Sequence, residues 1–121
     1  MIVGRNGGTC TLALRNGSSL YQESTSGHAD DSALITVGHT AASGGTFAGH
    51  GSMIVEDSDV YVDGGADFAG IYFGREADTT GVGNFSGADT GVIVTSDDQA
   101  GLFIGRNGRA DWRRQFHLGW P

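Results

Sequence analysis

Short apolar runs recur along the chain, each bounded by glycine and none longer than a strand. Ala33-Leu34-Ile35-Thr36-Val37-Gly38-His39 returns as Ala69-Gly70-Ile71-Tyr72-Phe73-Gly74-Arg75 and as Ala100-Gly101-Leu102-Phe103-Ile104-Gly105-Arg106, with a shortened copy at Ile2-Val3-Gly4-Arg5. β-Branched and aromatic residues dominate these runs, and the same holds for Val60-Tyr61-Val62 and Val92-Ile93-Val94, the composition expected of strands. Anchor glycines 4, 38, 74 and 105 set a period of 31 to 36 residues, the mark of a repeat architecture. A second glycine stands at one constant offset after three of these anchors, at Gly17, Gly51 and Gly87. That offset predicts a fixed-length segment followed by a loop of variable length.

The expected unit has three strands. The first ends at the anchor glycine. The second lies near Thr9–Leu12, Thr46–Phe47 and Asn84–Phe85, and the third at Leu20–Tyr21, Met53–Val55 and Val92–Val94; Val60–Val62 reads as an extra piece in the second unit. Stacking such units predicts an all-β fold, a short parallel β-solenoid of about three rungs. One interior column would hold Ile35, Ile71 and Leu102, another Val3, Val37, Phe73 and Ile104, with Ala33, Ala69 and Ala100 where space is small. The alternative is a three-repeat β-prism or β-trefoil with strands paired inside each unit. The repeat domain spans 1–108. In 109–121, Trp112, Phe116 and Trp120 stand four apart, as do Arg109 and Arg113. This helical spacing predicts a basic, aromatic C-terminal cap or tail, with a self-association surface or an unstructured end as alternatives.

Composition narrows the functional classes. The 121 residues carry a formal net charge of −7 and no lysine, and residues 1–104 hold 13 acids against three arginines. An acidic body excludes nucleic acid as the expected partner, and no apolar run is long enough to span a membrane. Cys10 is the single cysteine, so it forms no internal disulfide and is expected to be a small buried residue. No export leader is visible after Met1, and the first repeat begins in mid-phrase, which suggests a fragment of a larger protein.

Two polar columns are candidate sites. Asp31, Asp67 and Asp98 precede the first strand of each unit. They would accept hydrogen bonds in the turn or, with Asp57, Asp59 and Asp63, supply oxygen ligands to calcium. Arg5, His39, Arg75 and Arg106 follow the anchor glycines, and would pair with acids such as Glu76 or receive an anionic surface. Asp57, Asp59 and Asp67 are the acids a polysaccharide-active enzyme would need, but no nucleophile motif accompanies them.

The phrases Ile35-Thr36-Val37-Gly38 and Gly45-Thr46-Phe47-Ala48-Gly49-His50-Gly51-Ser52-Met53-Ile54-Val55, and likewise Ile71-Tyr72-Phe73-Gly74-Arg75 and Gly81-Val82-Gly83-Asn84-Phe85-Ser86-Gly87-Ala88-Asp89-Thr90-Gly91-Val92-Ile93-Val94, resemble the glycine-rich repeats of bacterial autotransporter passenger domains. The likeness covers about residues 2–108, with Asn16-Gly17-Ser18 and Gly51-Ser52 at the family's glycine-serine step. It implies a right-handed β-helix without enzymatic activity, used for adhesion or display at a cell surface, if the chain belongs to a larger exported protein. The expected partners are surface glycans or proteins, and a second copy joined through the solenoid ends. The candidate binding residues are Asp31, Asp67, Asp98, Arg75 and Arg106; a three-repeat carbohydrate-binding module is the alternative, with sugar sites around Asp31, Asp67 and Asp98. No cofactor other than calcium is expected.

Overall fold

A computed structural model describes residues 1–24, 32–39, 48–76 and 78–105, and the main chain of 109–114. Eleven strands are described: β1 (Ile2–Arg5), β2 (Thr9–Arg15), β3 (Ser19–Glu23), β4 (Ala33–His39), β5 (His50–Glu56), β6 (Asp59–Asp63), β7 (Ala69–Phe73), β8 (Thr80–Ser86), β9 (Gly91–Thr95), β10 (Ala100–Ile104) and β11 (Arg109–Arg114). They form three sheets with orders β1-β4-β7-β10, β11-β8-β5-β2 and β3-β6-β9. Every strand pair is parallel and joins one unit to the next. The chain is therefore a short parallel β-solenoid: three complete three-strand rungs and the start of a fourth. Among the described residues, strands within a unit do not pair with each other, which excludes the prism and trefoil alternatives.

Register follows the repeated phrase. Val3 pairs with Val37, Val37 with Phe73, and Phe73 with Ile104, while Ala33, Ala69 and Ala100 align. Alternate residues of the three sheets point into one core built from Val3, Ile35, Val37, Met53, Val55, Val60, Val62, Ile71, Phe73 and Phe85, with the small Ala33 and Ala69 between them. Volume is traded between rungs. The second rung opposes Val37 with Met53; the third opposes Phe73 with Gly83, where a Cβ would lie 2.8 Å from the Phe73 ring. Phe73 then meets Phe85 edge to face at 6.1 Å. In the fourth rung the expected core positions hold register but not burial: Leu102 is 41% and Ile104 42% exposed, since β10 is the last strand of its sheet.

The anchor glycines turn the corner from the first sheet to the second with φ between 64° and 81°. They also admit main chain. A Cβ on Gly38 would sit 2.3 Å from the Thr80 carbonyl oxygen, and one on Gly81 only 2.2 Å from that of Val37. Gly51 stands in the same relation to Val3. Backbone thus packs on backbone along this corner.

Four expectations are corrected. The constant glycine offset is not structural: Gly51 lies inside β5 and aligns with Cys10 and Gly81, whereas Gly17 and Gly87 lie beyond the ends of β2 and β8. From anchor to second strand the chain runs five residues in the first unit, twelve in the second and six in the third. Met53–Val55 consequently belongs to the second strand, and Val60–Val62 is the third strand of its unit, not an extra one. Thr46–Phe47 lies outside the described residues. In the tail, 109–114 is a strand, not a helix, paired residue for residue with Thr80–Phe85. An isolated helix of that length is marginal, while the open edge of β8 offers main-chain partners along six residues. Cys10 is exposed, on β2, the edge strand of its sheet.

Candidate functional site

Aligned residues of neighbouring rungs stack on the solenoid's outer faces. On the three-stranded sheet the outward positions form three rows: Ser19–Asp59–Gly91, Tyr21–Tyr61–Ile93 and Glu23–Asp63–Thr95. The middle row is apolar yet open to solvent, with Tyr21 66% and Ile93 56% exposed. The Tyr21 and Tyr61 rings lie 5.7 Å apart, tilted by 53°. Beside them is a hollow of about 200 Å³ lined by Tyr21, Asp59, Val60, Tyr61, Gly91 and Ile93. Gly91 creates it by withholding a side chain, and the Asp59 carboxylate leans into that space, with Oδ1 2.7 Å from where a Gly91 Cβ would stand.

Of the expected site residues that are described, Asp59 lines the hollow and Asp63 stands in the row beside the tyrosines, while the others are placed elsewhere. Asp67 accepts a hydrogen bond from the Ser32 hydroxyl of the preceding rung at 3.2 Å, and the main-chain N–H of Asp98 donates to Ser96 Oγ at 3.1 Å. Both precede a first-sheet strand in matching register. Asp31 and Arg106, named from the same columns, lie outside the described residues. Asp57 holds the corner between the second and third sheets with φ of 45°, alongside Asn16 at 58° and Gly87 at 97° in the equivalent positions. Asn, Asp and Gly are the residues that enter this left-handed region most easily. Asp63 accepts the Gly65 N–H at 2.8 Å. Asp59 and Asp63 stand four residues apart on β6, roughly 13 Å along a strand. Among the described residues no three His, Cys, Asp or Glu side chains gather as a metal site requires.

Arg75 pairs with Glu76 at 3.6 Å and lays its guanidinium over the Tyr72 ring, 5.0 Å from the centroid. Tyr72 stacks on Phe103 at 4.6 Å, and Phe68 flanks both. Within this outer cluster Tyr72 is buried, 4% exposed, under its partly exposed neighbours. His39, aligned with Arg5, has a buried Nδ1 without a hydrogen-bond partner. Burial, then the charge of Arg75, lower its pKa; Glu76 opposes this and Arg5 adds to it.

The tyrosine row was missed in sequence because Val60–Val62 was read as an insertion. Once β6 is the third strand of its unit, Ser19-Leu20-Tyr21-Gln22-Glu23 aligns with Asp59-Val60-Tyr61-Val62-Asp63, and the pair is visible. No family model matches the chain, and no match is found among curated proteins or solved structures. No helix among the described residues is long and apolar enough to cross a membrane.

Proposed function

We propose that the chain is a non-enzymatic binding module of a solenoid used for adhesion or display at a surface, in keeping with its resemblance to autotransporter passenger repeats. The observation that carries this reading is the Tyr21–Tyr61–Ile93 row on the three-stranded sheet, with Tyr21 and Ile93 exposed and Tyr61 half-buried between them. Exposed apolar residues in a continuous line, rimmed by polar ones, are what an interaction surface looks like. Tyrosine suits the role, since it offers a large apolar face and a polar tip at small entropic cost. The parallel ladders hold the row rigid, so little ordering is needed on contact.

The test is retention of the purified chain on an array of immobilised glycans and on intact bacterial and mammalian cells, with and without a calcium chelator. The expected result is binding that Tyr21→Ala and Ile93→Ser weaken together. Absence of retention on every surface, or retention indifferent to both substitutions, overturns the reading.

A further inference from the structure

The hollow beside the tyrosine row has a definite chemistry. Its walls are two phenol rings and an isoleucine, its floor is the main chain at Val60 and Gly91, and one carboxylate, Asp59, reaches into it. The rings are tilted by 53°. Coplanar rings make a platform for a flat ligand such as a pyranose; tilted rings make two walls of a corner, which suits a compact, rounded group. Among the described residues, the charged groups that line or border the hollow are acids. Asp59 lines it, and Glu23 and Asp63, adjacent in register, border the tyrosines on the other side. Like charges opposite one another on neighbouring strands repel. Among the described residues the ion pairs are Arg15–Glu56 and Arg75–Glu76, and neither involves these three acids. Aromatic faces attract cations through their quadrupole, and the acids raise the local concentration of positive ligands.

From this geometry we infer that the hollow receives an alkylammonium head group, the rings of Tyr21 and Tyr61 facing its methyl or methylene shell and Asp59 balancing its charge. The volume, about 200 Å³, is below the range of pockets for drug-sized ligands and fits one head group, not an oligomer. The inference deepens the surface-binding reading by naming the chemistry of the contact: a free or methylated amine carried on a larger molecule. Asp59 on one side and Glu23 with Asp63 on the other disfavour a head group that carries its own phosphate.

Choline is the probe, titrated into the chain while the tyrosine ring protons are followed by NMR. Dimethylbutanol, its uncharged carbon isostere, is the control. The expected result is saturable movement of the Tyr21 and Tyr61 signals with choline and none with the alcohol. Tyr21→Ala should weaken binding about threefold to fivefold, the scale of one exposed cation–aromatic contact. Tyr21→Phe should preserve it, because the ring and not the hydroxyl makes the contact. Asp59→Asn should weaken it and flatten its salt dependence. Both positions are exposed, so a denaturation midpoint matching wild type will show that the variants fold. A trimethyllysine ester should bind like choline and phosphocholine more weakly; the reverse order points to a lipid head group and overturns the charge argument. Equal binding of dimethylbutanol overturns the inference, as does choline binding unchanged in Tyr21→Ala, or tyrosine shifts seen with methyl glucoside and absent with choline. A chain that adheres through the tyrosine row yet ignores choline overturns this inference alone. One that binds choline but adheres to no surface overturns the broader reading and leaves this one standing.

Discussion

Gly81→Ala should be among the most damaging single-methyl changes available in this chain. A Cβ at that position would lie 2.2 Å from the Val37 carbonyl oxygen and 2.4 Å from the Gly74 nitrogen. Those atoms are the two ends of one hydrogen bond, in which Gly74 N–H donates to Val37 O at 2.9 Å. Ordinary carbon contacts begin near roughly 3.5 Å, so the methyl overlaps both by more than about 1 Å. Neither atom belongs to a side chain that can rotate away. Overpacking costs about 1–3 kcal/mol, and losing the hydrogen bond adds about 1–3 kcal/mol. Stiffening of the unfolded chain returns about 0.4–1 kcal/mol. The net is a loss of about 2–5 kcal/mol, a large share of the roughly 5–15 kcal/mol that holds a domain together. With a urea slope of about 2 kcal/mol/M, the middle of the usual range, the midpoint should fall by about 1–2.5 M, read by far-ultraviolet circular dichroism. Gly17→Ala is the control: nothing lies within 4 Å of its Cβ site, though φ is +78°, so it should lose only the left-handed penalty of about 1–2 kcal/mol. If Gly81→Ala proves no more costly than Gly17→Ala, the corner is not packed main chain on main chain and the stacking geometry is wrong.

Phe73→Ala removes a fully buried ring from the third rung and should cost about 3–5 kcal/mol, measured by the same urea titration; a loss under about 1 kcal/mol would contradict the single core. His39 titrates below its ordinary value of 6.5 because it is partly buried and feels the charge of Arg75. The folded state therefore binds this proton less readily than the unfolded chain does. Its contribution to stability is full above pH 6.5 and is lost as pH falls through the lowered folded value, so His39→Gln should flatten the decline of the urea midpoint below that pH. Cys10 is exposed and should react with a thiol reagent as fast in the native chain as in urea; a thiol silent until denaturation would place β2 elsewhere. Leu102 and Ile104 are exposed on the last strand of their sheet, and end-to-end pairing through them should raise the apparent mass in light scattering with concentration, in a manner that Leu102→Asp abolishes.

The first sheet was legible in sequence because its strands, corner and register all recur. Val3, Val37, Phe73 and Ile104 occupy one column at equal distance from a glycine that every rung needs. The second and third strands were harder. The loop after Gly38 is longer than those after Gly4 and Gly74, and this displaces β5 along the sequence by about the distance that makes Gly51 coincide with the Gly17 and Gly87 offset. Two glycines of different function, one packing inside a strand and one near a corner, look alike when only spacing is available. The tail misled for a related reason. Trp112, Phe116 and Trp120 carry helical spacing, as do Arg109 and Arg113, but the edge of β8 supplies six residues of main-chain pairing to 109–114, and an open sheet edge outweighs a short, marginal helix.

The same physics explains why the most regular polar signals were poor guides to the site. A corner of a solenoid must be turned at every rung, so the residue types that turn it recur: Asn16, Asp57 and Gly87 at one corner, the anchor glycines at another. Regular recurrence of a polar residue in a stacked fold therefore marks a demand of the backbone. Asp57 meets one directly, and Asp67 fixes its turn to the preceding rung through Ser32. A ligand imposes no such periodicity, because it needs one place and not one per rung. The hollow on the third sheet arises where the repeat is broken twice: Asp59 is followed in its row by Gly91, which opens space, and Tyr61 is followed by Ile93, which ends the pair of rings. In a repeat protein the departures from the pattern on an outward row, not the pattern itself, are where a specific contact can be built.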